Sequence, residues 1–423
     1  GRPAVAAALA ESARSHFGGV GQEETVSLGR ALHDAIDHYV VKRGDMKTII
    51  AGYPWFLDWG RDSLIVVRGL VAAGKLTEAR AVLRQFGRFE HEGTLPNMIN
   101  GEDAGNRDTS DAALWFFAAC GDLLRKEESP SFLAEKAGRH TLNEVLHSIG
   151  HFMIHGTQNG VKMDPESGLV FSPAHFTWMD TDFPAGTPRE GYPIEIQALW
   201  YNALKVLSSL DGEKGEYDWR ALAARVQSSI MDLFRQNGKY LSDCLHAAPG
   251  DAAKSASPDD SLRPNQLLAI TLGAVQDPLI CRHILAACNE LLVPGAIRSL
   301  ADRPVRVPIS IVHNGNVLND PHNPYWGNYV GDEDTRRKPA YHNGTAWTWL
   351  FPAYCEAWVQ TYGDASRKTA LSWLSSSTGL INSGCLGQVP EILDGDFPHT
   401  QRGCDAQAWG VSELLRVWKK LGG

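Results

Sequence analysis

Three separated stretches of this sequence combine carboxylates, an arginine and aromatic side chains at points where helices are predicted to begin. They are GYPWFLDWGRDSLIV (52–66), TWMDTDFPAGTPREGYPIEIQALWYNAL (177–204) and GQVPEILDGDFPHTQRGCDAQAW (387–409). A solvated loop explains the charges and prolines, but not the tryptophans beside them. Carboxylates in pairs suit glycoside hydrolysis, because one protonates the leaving oxygen and the other acts as base or nucleophile. Aromatic rings can stack on sugar faces, while Arg and Asp bind hydroxyl groups.

Other reaction types find no comparable motif. The segment GLVAAGKL (69–76) resembles a phosphate-binding loop, but it lacks the Ser or Thr that would hold magnesium and it ends a predicted helix. The histidine stripe at 147, 151 and 155 lacks a further ligand and the catalytic Glu of a zinc hydrolase, so it is better explained as a helix face. No Gly-x-Ser-x-Gly elbow is present. We therefore expect no metal and no cofactor.

Composition limits the partners and the setting. The chain has 423 residues, 43% of them hydrophobic, and its net charge of −9 argues against a nucleic-acid partner. No apolar run reaches the ~18 residues that a membrane span needs, so no membrane association is expected. The 7 cysteines are scattered and odd in number, which favours a reducing, cytoplasmic setting.

Helical periodicity dominates the chain, and alternating strand patterns are nearly absent. The pattern predicts an all-α protein of about twelve helices, at residues 24–41, 61–74, 76–90, 109–126, 139–158, 193–210, 217–235, 263–275, 278–292, 343–362, 366–384 and 405–422. The even-numbered helices are the more apolar and aromatic, whereas the odd-numbered ones are amphipathic. This contrast indicates six buried helices surrounded by six half-exposed ones.

The connections alternate in length. Links that leave even-numbered helices are mostly short, whereas those that enter them are long, at about 42–60, 91–108, 159–192, 236–262, 293–342 and 385–404. Short links make antiparallel helix pairs, and long loops in a compact domain are usually functional. We expect a closed double ring of helices with the long loops at one end. An open solenoid is the alternative, but no repeat period supports it. The expected domain is 1–423, with 1–22 as an N-terminal extension.

Four motifs now point to a family. PWFLDWGRDS, TPREGYPIEIQALWYNAL, NGTAWTW and GQVPEILDGDFPHTQRGCDAQAWGVSELLRVW resemble, in order, the glucosidase domain of glycogen debranching enzymes, the amylo-α-1,6-glucosidases. The similarity runs from about residue 50 to the C-terminus, and WGRD more distantly resembles glucoamylases. The family fold is an (α/α)6 barrel, which agrees with the helix count.

The resemblance implies roles for individual residues. Asp180 matches the general acid and Glu391 the general base of an inverting hydrolase that removes α-1,6-linked glucose stubs from glycogen, branched α-glucan or limit dextrin. Inversion needs room for a water, so the two carboxyl groups are expected roughly 6.5–9.5 Å apart. Residues expected to bind substrate or line the pocket are Trp59, Arg61, Asp62, Asp111, Trp178, Arg189, Glu195, His342, Asn343, Trp347 and Gln388.

One departure from the family pattern affects substrate preference. Thr181, Asp182 and Phe183 follow TWMD, where the family often has Ala and a Gly/Val-rich stretch. A second carboxylate there could raise the pKa of the acid or contact the aglycone. Two alternatives to the debranching activity also stay open: another exo-acting α-glucosidase or trehalase-like enzyme on the same barrel, and a non-catalytic glucan-binding protein.

Overall fold

The computed structural model describes residues 22–181, 185–212, 215–236 and 239–423, so nearly all of the predicted N-terminal extension lies outside the described residues. Within these described residues, twelve helices build the body of the protein. They are α1 (Gln22–Ala35), α2 (Gly60–Ala72), α3 (Leu76–Gly87), α4 (Ala112–Glu127), α5 (Leu142–His155), α6 (Ile194–Asp211), α7 (Trp219–Leu233), α8 (Leu267–Thr271), α9 (Pro278–Cys288), α10 (Phe351–Tyr362), α11 (Arg367–Leu374) and α12 (Ala408–Lys420). Short helices at Lys338–Tyr341 and Thr378–Ile381 lie in connections.

The even-numbered helices form a closed inner ring. Each packs against the next even-numbered helix, from α2 through α4, α6, α8 and α10 to α12, and α12 packs back against α2. The odd-numbered helices lie outside this ring, as α3 does against α2 and α7 does against α6. The predicted (α/α)6 barrel is therefore confirmed, and the open solenoid is wrong.

Burial follows the predicted contrast between the two rings. Every residue from Gly60 to Val71 of α2 is buried, as a helix enclosed on all sides requires. Outer helix α7 instead buries one stripe, at Trp219, Leu222, Ala223, Val226 and Ile230. The apolar residues of both rings form one contiguous core.

Two inner helices are shorter than predicted. The segment predicted as helix 263–275 is a 3-10 turn, Pro264–Gln266, followed by the five residues of α8. The segment predicted as helix 343–362 becomes helical only at Phe351. Its first part instead contributes a strand, Ala346–Trp347, whose backbone pairs with neighbours on both sides. Backbone groups committed to a sheet cannot also form helical hydrogen bonds.

The loop end also carries short strands, which no alternating pattern in the sequence indicates. A five-stranded antiparallel sheet joins β1 (Leu292–Val293), β2 (Ala296–Arg298), β3 (Ala346–Trp347), β4 (Ile392–Leu393) and β5 (Gln401–Arg402) in that order. Shorter pairings elsewhere are Val40–Arg43 with Met46–Ile49, Gly52–Tyr53 with Ala406–Gln407, Asp58–Trp59 with Met98–Ile99, Lys136–Ala137 with His140–Thr141, Lys162–Met163 with Val170–Phe171, Arg235–Gln236 with Tyr240–Leu241, Val312–His313 with Asn316–Val317, and Cys244–His246 with both Gly191–Pro193 and Ser257–Pro258. Some of these pairings, such as Asp58–Trp59 with Met98–Ile99, join one long loop to another.

Two further observations concern the whole chain. All seven cysteines are free thiols, and six of them are buried. Among the described residues, no helix has both the length and the apolar character needed to cross a membrane.

Candidate active site

A cavity of about 180 Å³ lies where the long loops converge at one end of the barrel. Four loops contribute to it: 42–60, 159–192, 293–342 and 385–404, as predicted. Its lining residues are Phe56, Trp59, Arg61, Asp62, Trp178, Asp180, Thr181, Tyr341, Trp347, Glu391, Gln407 and Trp409. The cavity is thus walled by aromatic rings and contains three carboxylates with one arginine.

A larger cavity of about 780 Å³ opens at the opposite end, between the C-terminal ends of inner helices. Both carboxylates that line it, Asp122 and Glu356, are paired with arginines. Arg68 Nε donates to Asp122 (2.8 Å), and Arg416 Nη2 donates to Glu356 (2.6 Å). The smaller cavity is the better candidate site, because its carboxylates are not all paired.

Arg61 lines the small cavity and positions the side chains around it. It stands in the first turn of α2, where a Cβ on the preceding Gly60 would lie 2.2 Å from the Pro96 carbonyl oxygen, so only glycine fits. The buried guanidinium donates through Nε to Asp111 (2.6 Å) and through Nη1 to Asp180 (2.9 Å). Its Nη2 donates to the Thr177 carbonyl (3.0 Å). Arg61 is therefore fixed by Asp111 and in turn holds Asp180.

Asp180 lies on a loop that aromatic packing holds in place. Trp178 donates its indole N–H to Asn265 (2.7 Å), and its ring meets Trp347 and Trp349 edge-on at 5.0 and 5.3 Å. The Asp180 side chain is 29% exposed, at the cavity that it lines. Burial raises the pKa of Asp180, although the Arg61 charge opposes this shift.

Glu391 lines the same cavity from the residue just before β4. Tyr341 donates its hydroxyl to Oε1, and the backbone N–H of Cys404 donates to Oε2 (2.9 Å). A Cβ on Gly403, whose φ is +68°, would lie 2.3 Å from Oε2, so glycine permits this approach. The pKa of Glu391 is raised to about 7. Burial is the largest cause, and the Asp180 charge adds to the rise, whereas the hydrogen bonds from Tyr341 and Cys404 oppose it.

Asp62 is the third carboxylate of the cavity. It follows Arg61 in α2 and is only 6% exposed, with Gln407 Nε2 at 3.4 Å from Oδ1. Burial raises the pKa of Asp62 to about 8, against the attraction of Arg61, and the charges of Asp180 and Glu391 add to the rise. Three carboxylates beside a single cation can exchange protons near neutral pH and can stabilise positive charge on a bound molecule.

Two residues predicted to line the pocket lie behind it instead. Arg189 donates to both oxygens of Glu195 (2.5 and 2.6 Å) and to Asp243 (2.7 Å), and all three are buried. Arg189 also donates to the Thr177 hydroxyl (2.9 Å). Ions buried this deeply must pair with each other. Contrary to the prediction, Arg189 and Glu195 therefore brace the Trp178 loop and do not face the cavity.

Four other predicted residues also stand outside the cavity wall. Asp111 anchors Arg61, and Asn343 accepts from Arg263 (2.9 Å). Gln388 accepts from the Tyr39 hydroxyl (2.6 Å). His342 stacks on Trp347, with ring centres 5.1 Å apart, and its Nε2 lies 3.0 Å from the Thr181 hydroxyl. Burial lowers the pKa of His342 well below its ordinary range.

Five lining residues were not among the predicted site residues: Phe56, Thr181, Tyr341, Gln407 and Trp409. Four of them lie inside the motif stretches 52–66, 177–204 and 387–409, namely Phe56, Thr181, Gln407 and Trp409. Their membership of these stretches could have identified them as site residues. Tyr341 directly precedes the predicted His342, but nothing in the sequence alone indicates that its hydroxyl reaches Glu391. Asp182 lies outside the described residues.

An (α/α)6 barrel with carboxylates and aromatic rings around a small cavity is the arrangement expected of a glycosidase. The family model for amylo-alpha-1,6-glucosidase matches residues 34–309 and 314–416. The chain belongs to this amylo-α-1,6-glucosidase family.

Individual relatives agree with that assignment. The chain is 24% identical over 414 residues to a glycogen debranching enzyme of Saccharomyces cerevisiae, covering 74% of this chain and 25% of the yeast protein. The chain thus spans about a quarter of the length of that relative.

Solved structures show the same fold at low identity. A glycosidase variant in complex with glucose matches with a TM-score of 0.63 and 12% identity, covering 96% of this chain and 99% of the other. A GH63 mannosylglycerate hydrolase from Thermus thermophilus, also with glucose, matches with a TM-score of 0.59 and 14% identity, covering 92% and 99%.

Proposed function

We propose that this protein hydrolyses α-1,6-linked glucose stubs of glycogen-type glucan, releasing single glucose units with inversion. The observation that carries the proposal is the convergence of Asp180 and Glu391 on one small, aromatic-walled cavity. The family membership and the yeast debranching relative support the substrate class. A cavity about the size of one sugar ring suits removal of a terminal residue rather than cleavage within a chain.

In this proposal Asp180 is the general acid. Its pKa is raised by burial, so a larger share of it carries a proton near neutral pH than an ordinary Asp would. Arg61 holds one of its oxygens and so fixes the orientation of the carboxyl group. The proton passes to the glycosidic oxygen as the bond to the sugar breaks.

Glu391 is the general base. Both of its oxygens accept hydrogen bonds from fixed donors, an arrangement that favours the ionised form. The carboxylate takes a proton from a water that attacks the sugar from the face opposite the leaving oxygen, which requires the carboxyl spacing of roughly 6.5–9.5 Å. Asp62 and Arg61 bind hydroxyls of the terminal glucose, and the ionised carboxylates stabilise the cationic transition state.

A related enzyme with a smaller substrate is the second candidate. One structural neighbour is named a mannosylglycerate hydrolase, and mannosylglycerate is a small glycoside. Trehalose is a small glucoside and is the corresponding substrate for a trehalase-like enzyme. The third candidate is a glucan-binding protein without activity.

We also propose that the barrel acts as one catalytic domain. The seven free thiols support a reducing, cytoplasmic setting for it.

Release of the free sugar distinguishes these candidates. The purified chain is assayed for glucose release from phosphorylase limit dextrin and trehalose and for mannose release from mannosylglycerate, together with D180N and the surface control D108N. We expect glucose from limit dextrin, little glucose from trehalose, little mannose from mannosylglycerate, and loss of activity only in D180N. Preferential hydrolysis of a small glycoside would favour the second candidate. Glucan binding without release of glucose, unchanged by D180N, would favour the third.

A further inference from the structure

An exposed apolar loop stands beside the mouth of the catalytic cavity. Between residues 52 and 57, Tyr53, Trp55 and Leu57 are 39%, 56% and 50% exposed. Tryptophan is highly buried on average, and large exposed apolar side chains grouped on one short loop mark a binding surface. We call this segment the 52–57 loop.

The 52–57 loop is held at both ends. Gly52 and Tyr53 pair with Gln407 and Ala406 as a two-stranded ladder. Within the loop, Phe56 N–H donates to the Gly52 carbonyl (3.0 Å), and the Leu57 carbonyl accepts from Ala51 N–H (2.8 Å). The exposed Trp55 therefore projects from a fixed backbone, and a ligand that binds it does not have to order the loop first.

Aromatic rings connect Trp55 to the cavity. Its ring lies 6.2 Å from that of Phe56, and Phe56 lies 6.3 Å from Trp59, in edge-on arrangements. Phe56 and Trp59 both line the cavity that holds Asp180 and Glu391. The apolar surface is thus continuous from the cavity, where the terminal sugar would sit, to solvent.

We propose that Trp55 is a stacking platform for the glucan chain on the leaving-group side of the scissile bond. This inference rests on the proposed function, since it names how the same site binds the rest of its substrate. The occupant is the α-linked chain that carries the branch stub. Its pyranose rings have apolar faces that can stack on an indole. The continuity of the loop with the cavity selects this occupant over an unrelated protein.

The position of Trp55 predicts a particular kinetic effect. It lies outside the cavity, so it contacts sugars that do not change during the reaction. Its removal should weaken binding of substrates with a glucan leaving group and leave the chemical step on a bare glucosyl donor unaffected. Losing one aromatic stacking contact corresponds to a fall in kcat/KM of roughly three- to tenfold.

The test compares W55A with wild type on limit dextrin and on α-glucosyl fluoride, which has no sugar on the leaving side. We expect a three- to tenfold fall on dextrin, mainly in KM, and no change on the fluoride. W55F, which keeps a stacking ring, should recover most of the loss. L279A is the matched control, because Leu279 is 59% exposed on outer helix α9 and should behave like wild type on both substrates.

Several outcomes would overturn the inference. Equal losses on dextrin and fluoride would mean that Trp55 shapes the catalytic cavity. No loss on dextrin would mean that it contacts no glucan. Concentration-dependent self-association that W55A abolishes, with unchanged kinetics, would make the 52–57 loop a contact between copies of this chain.

A second readout separates this inference from the proposed function. Retardation in gels containing limit dextrin measures glucan binding without catalysis. If wild type releases no glucose but W55A is less retarded than wild type and L279A, the platform stands and the proposed activity fails. If wild type is active and W55A migrates and turns over like wild type, the platform alone fails.

Discussion

Asp180 and Glu391 are held by different kinds of partner, and this difference supports their separate roles. Asp180 forms an ion pair with the Arg61 guanidinium, and Asp111 holds that guanidinium in place. Glu391 accepts from two neutral donors, Tyr341 and a backbone N–H. A neutral hydroxyl stabilises the carboxylate without adding a positive charge beside it. The proposed base is therefore held without help from a cation.

Substitution of each carboxylate should separate the two roles. D180N cannot protonate a sugar leaving group, so hydrolysis of limit dextrin should fall at least ~100-fold, the lower range of general-acid contributions. Fluoride leaves without protonation, so hydrolysis of α-glucosyl fluoride should be largely spared. E391Q should lose both activities, because no base activates the water. Steady-state rates on the two substrates check this. Equal damage to both substrates by D180N would contradict its role as the acid.

The Tyr341 hydroxyl should set the acid limb of the pH profile. It donates to the Glu391 carboxylate and lowers that pKa, which is nevertheless about 7 because burial raises it more strongly. In Y341F the donor is lost, so the pKa of Glu391 rises and the base stays protonated to higher pH. The acid limb of kcat/KM should therefore move to higher pH. Y354F, the same change on inner helix α10, should leave the limb in place. An unchanged limb in Y341F would contradict this role.

At the scale of single residues, the sequence predicts which residues belong to the site better than it predicts which atoms they contact. Asp62, Asp180 and Glu391 lie in quoted motifs and do line the cavity. Arg189 and Glu195 lie in such a motif too, yet they pair with each other behind the wall, because a motif does not reveal which way a buried side chain points. Nor does it reveal partners brought from elsewhere in the chain.

At the scale of the helices, α2 and α12 pack against each other through a glycine. A Cβ on Gly69 would lie 2.3 Å from Ser412 Oγ and 2.9 Å from the Ser412 Cα. The Ser412 hydroxyl also points to the Ile65 carbonyl on α2 (3.3 Å). The last helix of the barrel thus packs on the first inner helix through a glycine, and this contact closes the ring.

Adding even a methyl group at Gly69 should therefore destabilise the fold. G69A should lower the free energy of unfolding by about 1–3 kcal/mol, because the added methyl group meets backbone that cannot yield. G121A is the matched control on inner helix α4, where the nearest atom is a Val206 methyl group at 3.2 Å that can shift. There the higher helix propensity of Ala offsets the crowding. Urea unfolding measures both, and equal stabilities would contradict the tight closure.

Helices and strands differ in how well the sequence predicts them. Long apolar helices such as α4 and α6 show their period over many residues, so their existence and order are predictable. The strands of the five-stranded sheet have only two or three residues each, too few to display an alternating pattern. Their partners also come from distant loops, as Trp347 of β3 pairs with Ile392 of β4. This sheet therefore appears only in the structure.

At the scale of the whole molecule, barrel closure brings the two catalytic candidates together. Asp180 precedes α6 and Glu391 precedes α12, and no local structure connects them. The loops that carry them meet because every inner helix begins at the same end of the ring. The number of helices and the alternation of loop lengths predict this convergence, and the shared cavity confirms it. The spacing of the two carboxyl groups remains a prediction of the mechanism.

The anomer of the first product tests the central claim most directly. Wild-type protein is mixed with phosphorylase limit dextrin, and the released glucose is observed by NMR before mutarotation mixes the anomers. An inverting reaction at an α-linkage gives β-glucose first, because water attacks the face opposite the leaving oxygen. The proposed roles of Asp180 and Glu391 predict this result, whereas α-glucose appearing first would contradict them.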